Sequence, residues 1–171
     1  MRNLLIISIC SLILTACGTM PYVSTEYPLR AGLIQPVKVI GKADVTNAQT
    51  SDERVIVYSY MGTKLDSSIK AITETMVQQT QKELLKNGQP VDGNGSKSIA
   101  IKVNSLRSTY TNLLFWRSKI KFEATLGNGQ TIPFTVPHTS GVLVQDLNGC
   151  IAEGVMTLLN DARVRSYLAE K

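Results

Sequence analysis

Few residues in this chain are of types that could do chemistry. There is one histidine, His138, beside three cysteines at positions 10, 17 and 150. A hydrolytic triad would have to join His138 to a serine or to Cys150, with folding bringing them together. His138-Thr139-Ser140 follows a Val-Pro strand end, however, and that pattern reads as an exposed loop. Glu123 and Glu153 stand alone, so no carboxylate pair argues for acid–base work. No GxSxG elbow, P-loop, zinc motif or calcium loop is present. The chain therefore reads as non-catalytic, with no metal and no cofactor expected.

The cysteines point to different chemistry. Met1-Arg2-Asn3 supplies one positive charge, and LLIISICSLILTA then runs for thirteen residues broken only by Ser8, Ser11 and Thr15. This is the length of a signal-peptide core, too short to cross about 30 Å of hydrocarbon as a helix. After Cys17 the chain turns polar, Gly18-Thr19-Met20-Pro21. Leu14-Thr15-Ala16-Cys17 resembles the bacterial lipobox. The resemblance implies that residues 1–16 are a lipoprotein signal peptide, that the Cys17 thiol receives diacylglycerol, and that the freed amine is acylated, with palmitate-type chains holding the protein on a membrane. Each buried CH₂ contributes about 0.8 kcal/mol, so two or three long chains anchor the protein durably. Gly18 stands where aspartate would signal retention in the inner membrane, which implies the outer membrane, facing the periplasm. The same residues also fit a plain secretory signal cut beside a cysteine, or a short buried helix. On the lipobox reading Cys10 leaves with the leader and Cys17 carries lipid, so Cys150 has no partner within the mature chain. Apolar neighbours on a helical stretch make Cys150 a small buried hydrophobe rather than a reactive thiol.

The elements that must position these residues follow from periodicity. The formal net charge is +5, of which Arg2 contributes one; so mild an excess, with no basic cluster interleaved with aromatics, excludes a nucleic-acid reading. Residues 17–34, with Pro21, Pro28 and Gly32, read as a tether from lipidated Cys17. Residues 35–171 read as a single domain. VKVIGKADV and residues 54–60, RVIVYSY, are strand-like and could pair as a hairpin. Leu65 to Lys86 carries an apolar stripe at spacings of three and four, an amphipathic helix with Asp66 or Ser67 as cap and Asn87-Gly88 as a left-handed stop. QPVDGNGSK reads as a loop. Residues 98–106, 118–126 and QTIPFTV alternate as strands, with Gly127-Asn128-Gly129 as a tight turn. Pro133 and Pro137 mark the last strand as an edge. Val144 to Asn160 is a second helix, and Val164, Tyr167 and Leu168 fall at helical spacing in the tail. The expected fold class is α+β, a mainly antiparallel sheet of four to five strands with two helices packed on one face.

Two stretches are candidates for partner binding. Residues 109–117, TYTNLLFWR, place Phe115 and Trp116 between strands, where they either complete the core or form an exposed turn that engages lipid or a partner. Arg117, Lys119 and Lys121 share the polar face of the next strand, either simply solvated or a patch for anionic headgroups or glycan. The helix ending ELLKNGQPV, the strand IAIKVNSL, the hairpin ATLGNGQTIPFTV and the closing NDARVRSYL, in this order behind a lipobox, make residues 36–171 resemble YajG-type periplasmic lipoproteins. The resemblance extends distantly to the PqiC- and LptE-like auxiliary lipoproteins of envelope transport. It implies a non-catalytic binding or accessory module of the cell envelope, serving transport or assembly, with an envelope protein or lipid as partner. A structural or regulatory lipoprotein that binds peptidoglycan or a cell-wall enzyme is the alternative.

Overall fold

Strict alternation of apolar and polar side chains builds the centre of the molecule. In a computed structural model that describes residues 18–112 and 114–170, Ile120, Phe122, Ala124 and Leu126 of one strand and Ile132, Phe134 and Val136 of the next all point to the same side and are buried. The expected signal peptide, residues 1–16, and Cys17 lie outside the described residues. The elements are β1 (Thr19–Pro21), β2 (Val37–Asn47), β3 (Arg54–Tyr60), β4 (Thr63–Ser68), α1 (Ile69–Asn87), β5 (Gly88–Asn112), β6 (Phe115–Leu126), β7 (Thr131–Ser140), α2 (Leu143–Asn160) and α3 (Ala162–Ala169).

The expectation of a mainly antiparallel sheet of four to five strands with two helices is overturned. The sheet has seven strands in the order β1-β4-β3-β5-β6-β7, with β2 also on β5. It is mixed: β1–β4, β2–β5 and β3–β5 are parallel, whereas β3–β4, β5–β6 and β6–β7 are antiparallel. The physical cause is the pairing of β2 and β3, which form no hairpin. They lie one after the other along the same edge of β5, β2 from Val37 opposite Gly88 to Asn47 opposite Ile101, and β3 with Tyr58 opposite Ser108. Between them Ala48 N donates to Ile101 O at 2.8 Å and Gln49 Nε2 to Val103 O at 2.9 Å, so a side chain stands in for the missing ladder rung.

Two local readings change with it. QPVDGNGSK belongs to β5, because β2 supplies its hydrogen bonds although it has no apolar alternation. The bulge between Ile40 and Lys42 depends on Gly41, whose φ is +76° and at which a Cβ would lie 2.1 Å from Gly95 O. Leu65, read as the first residue of a helical stripe, lies buried in β4 behind the Met61-Gly62 turn. Helix α1 starts later, capped by Ser68 Oγ, which accepts from Ala71 N at 3.2 Å. Gly88 is extended rather than left-handed, so α1 passes straight into β5.

All three helices cover one face of the sheet. Helix α1 packs on β5 and β2, α2 on β6 and β7, and α3 on β2. Ile72, Met76 and Leu84 of α1 and Leu147, Ile151, Val155 and Leu158 of α2 meet the inward strand residues, and the Phe122 and Phe134 rings stack with centroids 4.7 Å apart. In α3, Tyr167 Oη accepts from Ser98 N at 3.0 Å and Gly127 N at 3.1 Å, tying the tail to the β6–β7 turn. Strand β7 is the sheet edge, and Pro133 and Pro137 both lie on its exposed side.

Residues 18–34, the described part of the stretch read as a tether, lie against the domain. Strand β1 pairs with β4, and Tyr22 N donates to Asp66 O at 2.7 Å. The segment then crosses both long helices as a strap. Tyr22 Oη donates to Asn148 Oδ1 at 2.5 Å, and Thr25 meets the same asparagine through its N–H (3.2 Å) and its hydroxyl (2.9 Å). Gln79 Nε2 donates to Tyr27 O at 2.6 Å, and Asn160 Nδ2 to Leu33 O at 2.9 Å. Tyr22 and Ile34 are buried. Two isolated buried side chains leave no periodic trace in the sequence.

Candidate functional site

Strand β6 sorts the sequence candidates by parity. Phe115, Arg117, Lys119 and Lys121 lie on the sheet face that no helix covers, and all four are exposed. Trp116 points the other way and is half-buried against the core. Its ring lies 5.4 Å from that of Tyr110, which in turn lies 5.0 Å from Tyr60. The Trp116 indole N–H is buried with no hydrogen-bond partner among the described residues. The pair Phe115 and Trp116 is therefore split, one on each face.

The open face carries a row of cations. Lys119 stands directly opposite Arg107 of β5 and Pro137 of β7, Arg117 opposite Thr109 and Thr139, and Lys121 opposite Ser105 and Thr135. Like charges placed opposite one another on neighbouring strands are unfavourable. Among the described residues none of Arg107, Arg117, Lys119 and Lys121 has an ion-pair partner. Two carboxylates of the same sheet are already engaged. Glu123 pairs with Lys102 at 3.4 Å, and Asp66 takes a two-pronged contact from Arg54 at 2.7 Å for each prong. That guanidinium holds the Asp66 carboxyl below the usual carboxylate range.

Arg107 is a member of this row that alternation missed. Counting on from Ile99, Ile101 and Val103 would turn Arg107 inward, but a bulge between Val103 and Ser105 reverses the parity. Leu106 is consequently buried and Arg107 exposed. Asn104 and Ser105 at the bulge are turn-prone residue types, but a lone Asn-Ser pair inside a strand does not announce a reversal of parity.

On the covered face the fold does bring a serine, the histidine and an aspartate together. His138 lies opposite Ser118, inside β7 rather than in the exposed loop expected of it. Asp146, in the first turn of α2 and fully buried, accepts hydrogen bonds from Ser108 Oγ at 2.8 Å and from Ser118 Oγ, while its Oδ1 has no partner. Burial raises the Asp146 pKa; the two hydroxyls and the charge of His138 act against that rise. His138 Nδ1 lies 4.0 Å from Glu153 Oε2, and its ring covers Gly149, where a Cβ would come within 2.4 Å of Nε2.

Roles in this cluster differ from those of a hydrolase. The Ser118 hydroxyl goes to the carboxylate instead of the imidazole, and Ser118 has no exposed surface. The Cys150 thiol is buried 3.6 Å from Val136 O, and burial, aided by the Asp146 charge, pushes its pKa up to about 12. What the cluster does is tie the first turn of α2 to β5 and β6 by a buried polar contact.

No family model and no curated protein matches this chain. Among solved structures, it is similar to a Xanthomonas campestris protein of the DUF330 family, at 17% identity over 82% of this chain and 95% of that one, with a TM-score of 0.47. It is also similar to a minor lipoprotein of Acinetobacter baumannii (12% identity, 69% and 90% covered, TM-score 0.34). A third is rare lipoprotein B of Shewanella oneidensis (13% identity, 74% and 88% covered, TM-score 0.30).

Proposed function

We propose that this chain is an outer-membrane lipoprotein, held through acyl chains on Cys17 and facing the periplasm, that acts as a non-catalytic binding or accessory module of the cell envelope. The observation that carries the binding role is the uncovered sheet face with Arg107, Arg117, Lys119 and Lys121, which have no ion-pair partner among the described residues. Cations set directly against one another are relieved by an anionic partner, so this face suits an acidic patch on an envelope protein, or an anionic lipid or glycan. The burial of Ser118 and Cys150 supports a role without catalysis.

The test is cross-linked copurification from solubilised membranes, comparing the unmodified protein with a variant carrying Arg117→Glu, Lys119→Glu and Lys121→Glu. Recovery of an envelope partner with the unmodified chain, lost in a variant of equal thermal midpoint, supports the proposal. Equal recovery by both removes the open face from the function. Sedimentation with purified sacculi, lost on the same substitutions, would favour the wall-binding alternative.

A further inference from the structure

One end of the sheet differs from the rest of the surface. Strand directions bring four chain segments to it. They are the start of β1, where Thr19 pairs with Lys64, the β3–β4 turn at Met61-Gly62, the β5–β6 turn at Leu114, and the loop from β7 into α2, where Trp116 pairs with Ser140. The last two lie close together, since a Cβ added at Gly141 would come 3.6 Å from Leu114 O. Each segment exposes a large apolar side chain: Met20, Met61 (86% exposed), Leu114 (70%), Phe115 (52%), Val142 and Val144. Behind them the rings of Tyr60, Tyr110 and Trp116 form a continuous row.

The charge pattern agrees. Residues 18–25, 59–64, 109–117 and 139–145 contain no Asp or Glu, and their charged residues are Lys64 and Arg117. From Phe115 the cations Arg117, Lys119 and Lys121 descend the open face away from this end. The turn at the other end of β6 and β7, Gly127-Asn128-Gly129-Gln130, is exposed and carries no large apolar side chain. Across six strand positions spaced about 4.8 Å apart the apolar end is about 24 Å wide.

What covers this end follows from where the undescribed chain joins it. Cys17 is two residues ahead of Thr19, the first residue of β1, so a lipid carried on Cys17 is tied to the apolar end by a link no longer than about 7 Å at about 3.5 Å per residue. Because β1 and the strap are fixed to the domain, no slack separates the two. We propose that this end of the sheet docks in the interfacial layer of the bilayer that holds Cys17, with Met61, Leu114 and Phe115 at the acyl boundary. Tyr60 and Trp116 lie at headgroup level, and Arg117 and Lys119 face anionic headgroups. This rests on the lipoprotein reading above.

Trp116 is the only tryptophan in the chain, which makes the test direct. The full acylated protein is reconstituted in vesicles of phosphatidylethanolamine and phosphatidylglycerol brominated near the headgroup end of the acyl chains, and its emission is compared with that in unbrominated vesicles. Two further variants relocate the probe, Trp116→Phe with Leu114→Trp and Trp116→Phe with Asn128→Trp. The expected result is strong quenching of Trp116, quenching of most of the emission in the Leu114→Trp variant, and none in the Asn128→Trp variant. An acylated, vesicle-bound protein in which Trp116 and the Leu114→Trp probe are quenched no more than the Asn128→Trp probe overturns this inference and leaves the anchoring reading intact. A chain whose mass shows no acylation overturns the anchoring reading and removes the reason to set a bilayer at this end.

Discussion

Cutting the strap from α2 should cost measurable stability. Asn148 is buried and holds the strap through three contacts, to Tyr22 Oη, Thr25 N and Thr25 Oγ1. Each such hydrogen bond contributes about 0.5–1.5 kcal/mol net, and a buried hydroxyl left without a partner costs about 1–3 kcal/mol. Asn148→Ala removes all three contacts and strands the Tyr22 hydroxyl, so the expected loss is about 2–4 kcal/mol. Tyr22→Phe leaves Asn148 bonded to Thr25 and should cost about 1 kcal/mol. Urea melts give both values, and tryptic cleavage at exposed Arg30 reports whether the strap lifts before the domain unfolds. Should Asn148→Ala melt within about 0.5 kcal/mol of the unmodified protein, or cost less than Tyr22→Phe, the strap is not held in this way and residues 18–34 revert to a tether.

Ile72 is fully buried on α1, so Ile72→Asp should unfold the domain, whereas Lys70→Asp on the exposed side should shift stability by at most about 0.5 kcal/mol in the same melts. Asp146 binds its proton more tightly in the folded than in the unfolded protein, so its contribution is complete below the unfolded value of about 3.9 and is lost as pH rises through the folded one. Asp146→Asn should therefore gain stability relative to the unmodified protein between pH 4 and pH 7 in urea melts; an unchanged difference would contradict this. The Cys150 thiol, buried and with its pKa pushed up to about 12, should resist maleimide labelling in native protein at pH 8 and react once urea unfolds the chain.

How much of this was legible depended on whether one partner or several defined each element. Strands β6 and β7 bury one face against α2, so their alternation gave residues, turn and edge position correctly from Ile120 through Val136. Helix α2 reads nearly as well, because its apolar stripe from Leu147 to Leu158 meets a single sheet, although Val144 at its start is exposed. Strand β5 does not, since its first half owes its order to β2 and carries Asp92, Gly93 and Gly95 where an apolar face would be expected. Strand β4 was absorbed into the helix because Leu65 happens to sit four residues before Ile69, which satisfies both periods at once. In the candidate site, Arg117, Lys119 and Lys121 were legible from spacing in one strand, whereas Arg107 depended on an unannounced bulge and on pairing with β6. The gathering of Met20, Met61, Leu114 and Val142 at one end is set wholly by topology.

Metabolic labelling with a radioactive fatty acid, followed by mass analysis of the membrane-extracted protein, tests the anchor most directly. Lipoprotein anchoring predicts label on the unmodified chain, an N-terminus at Cys17 carrying diacylglycerol, and no label on Cys17→Ser, whose hydroxyl cannot form the thioether. Equal label on both, or an unacylated mature chain, would contradict it.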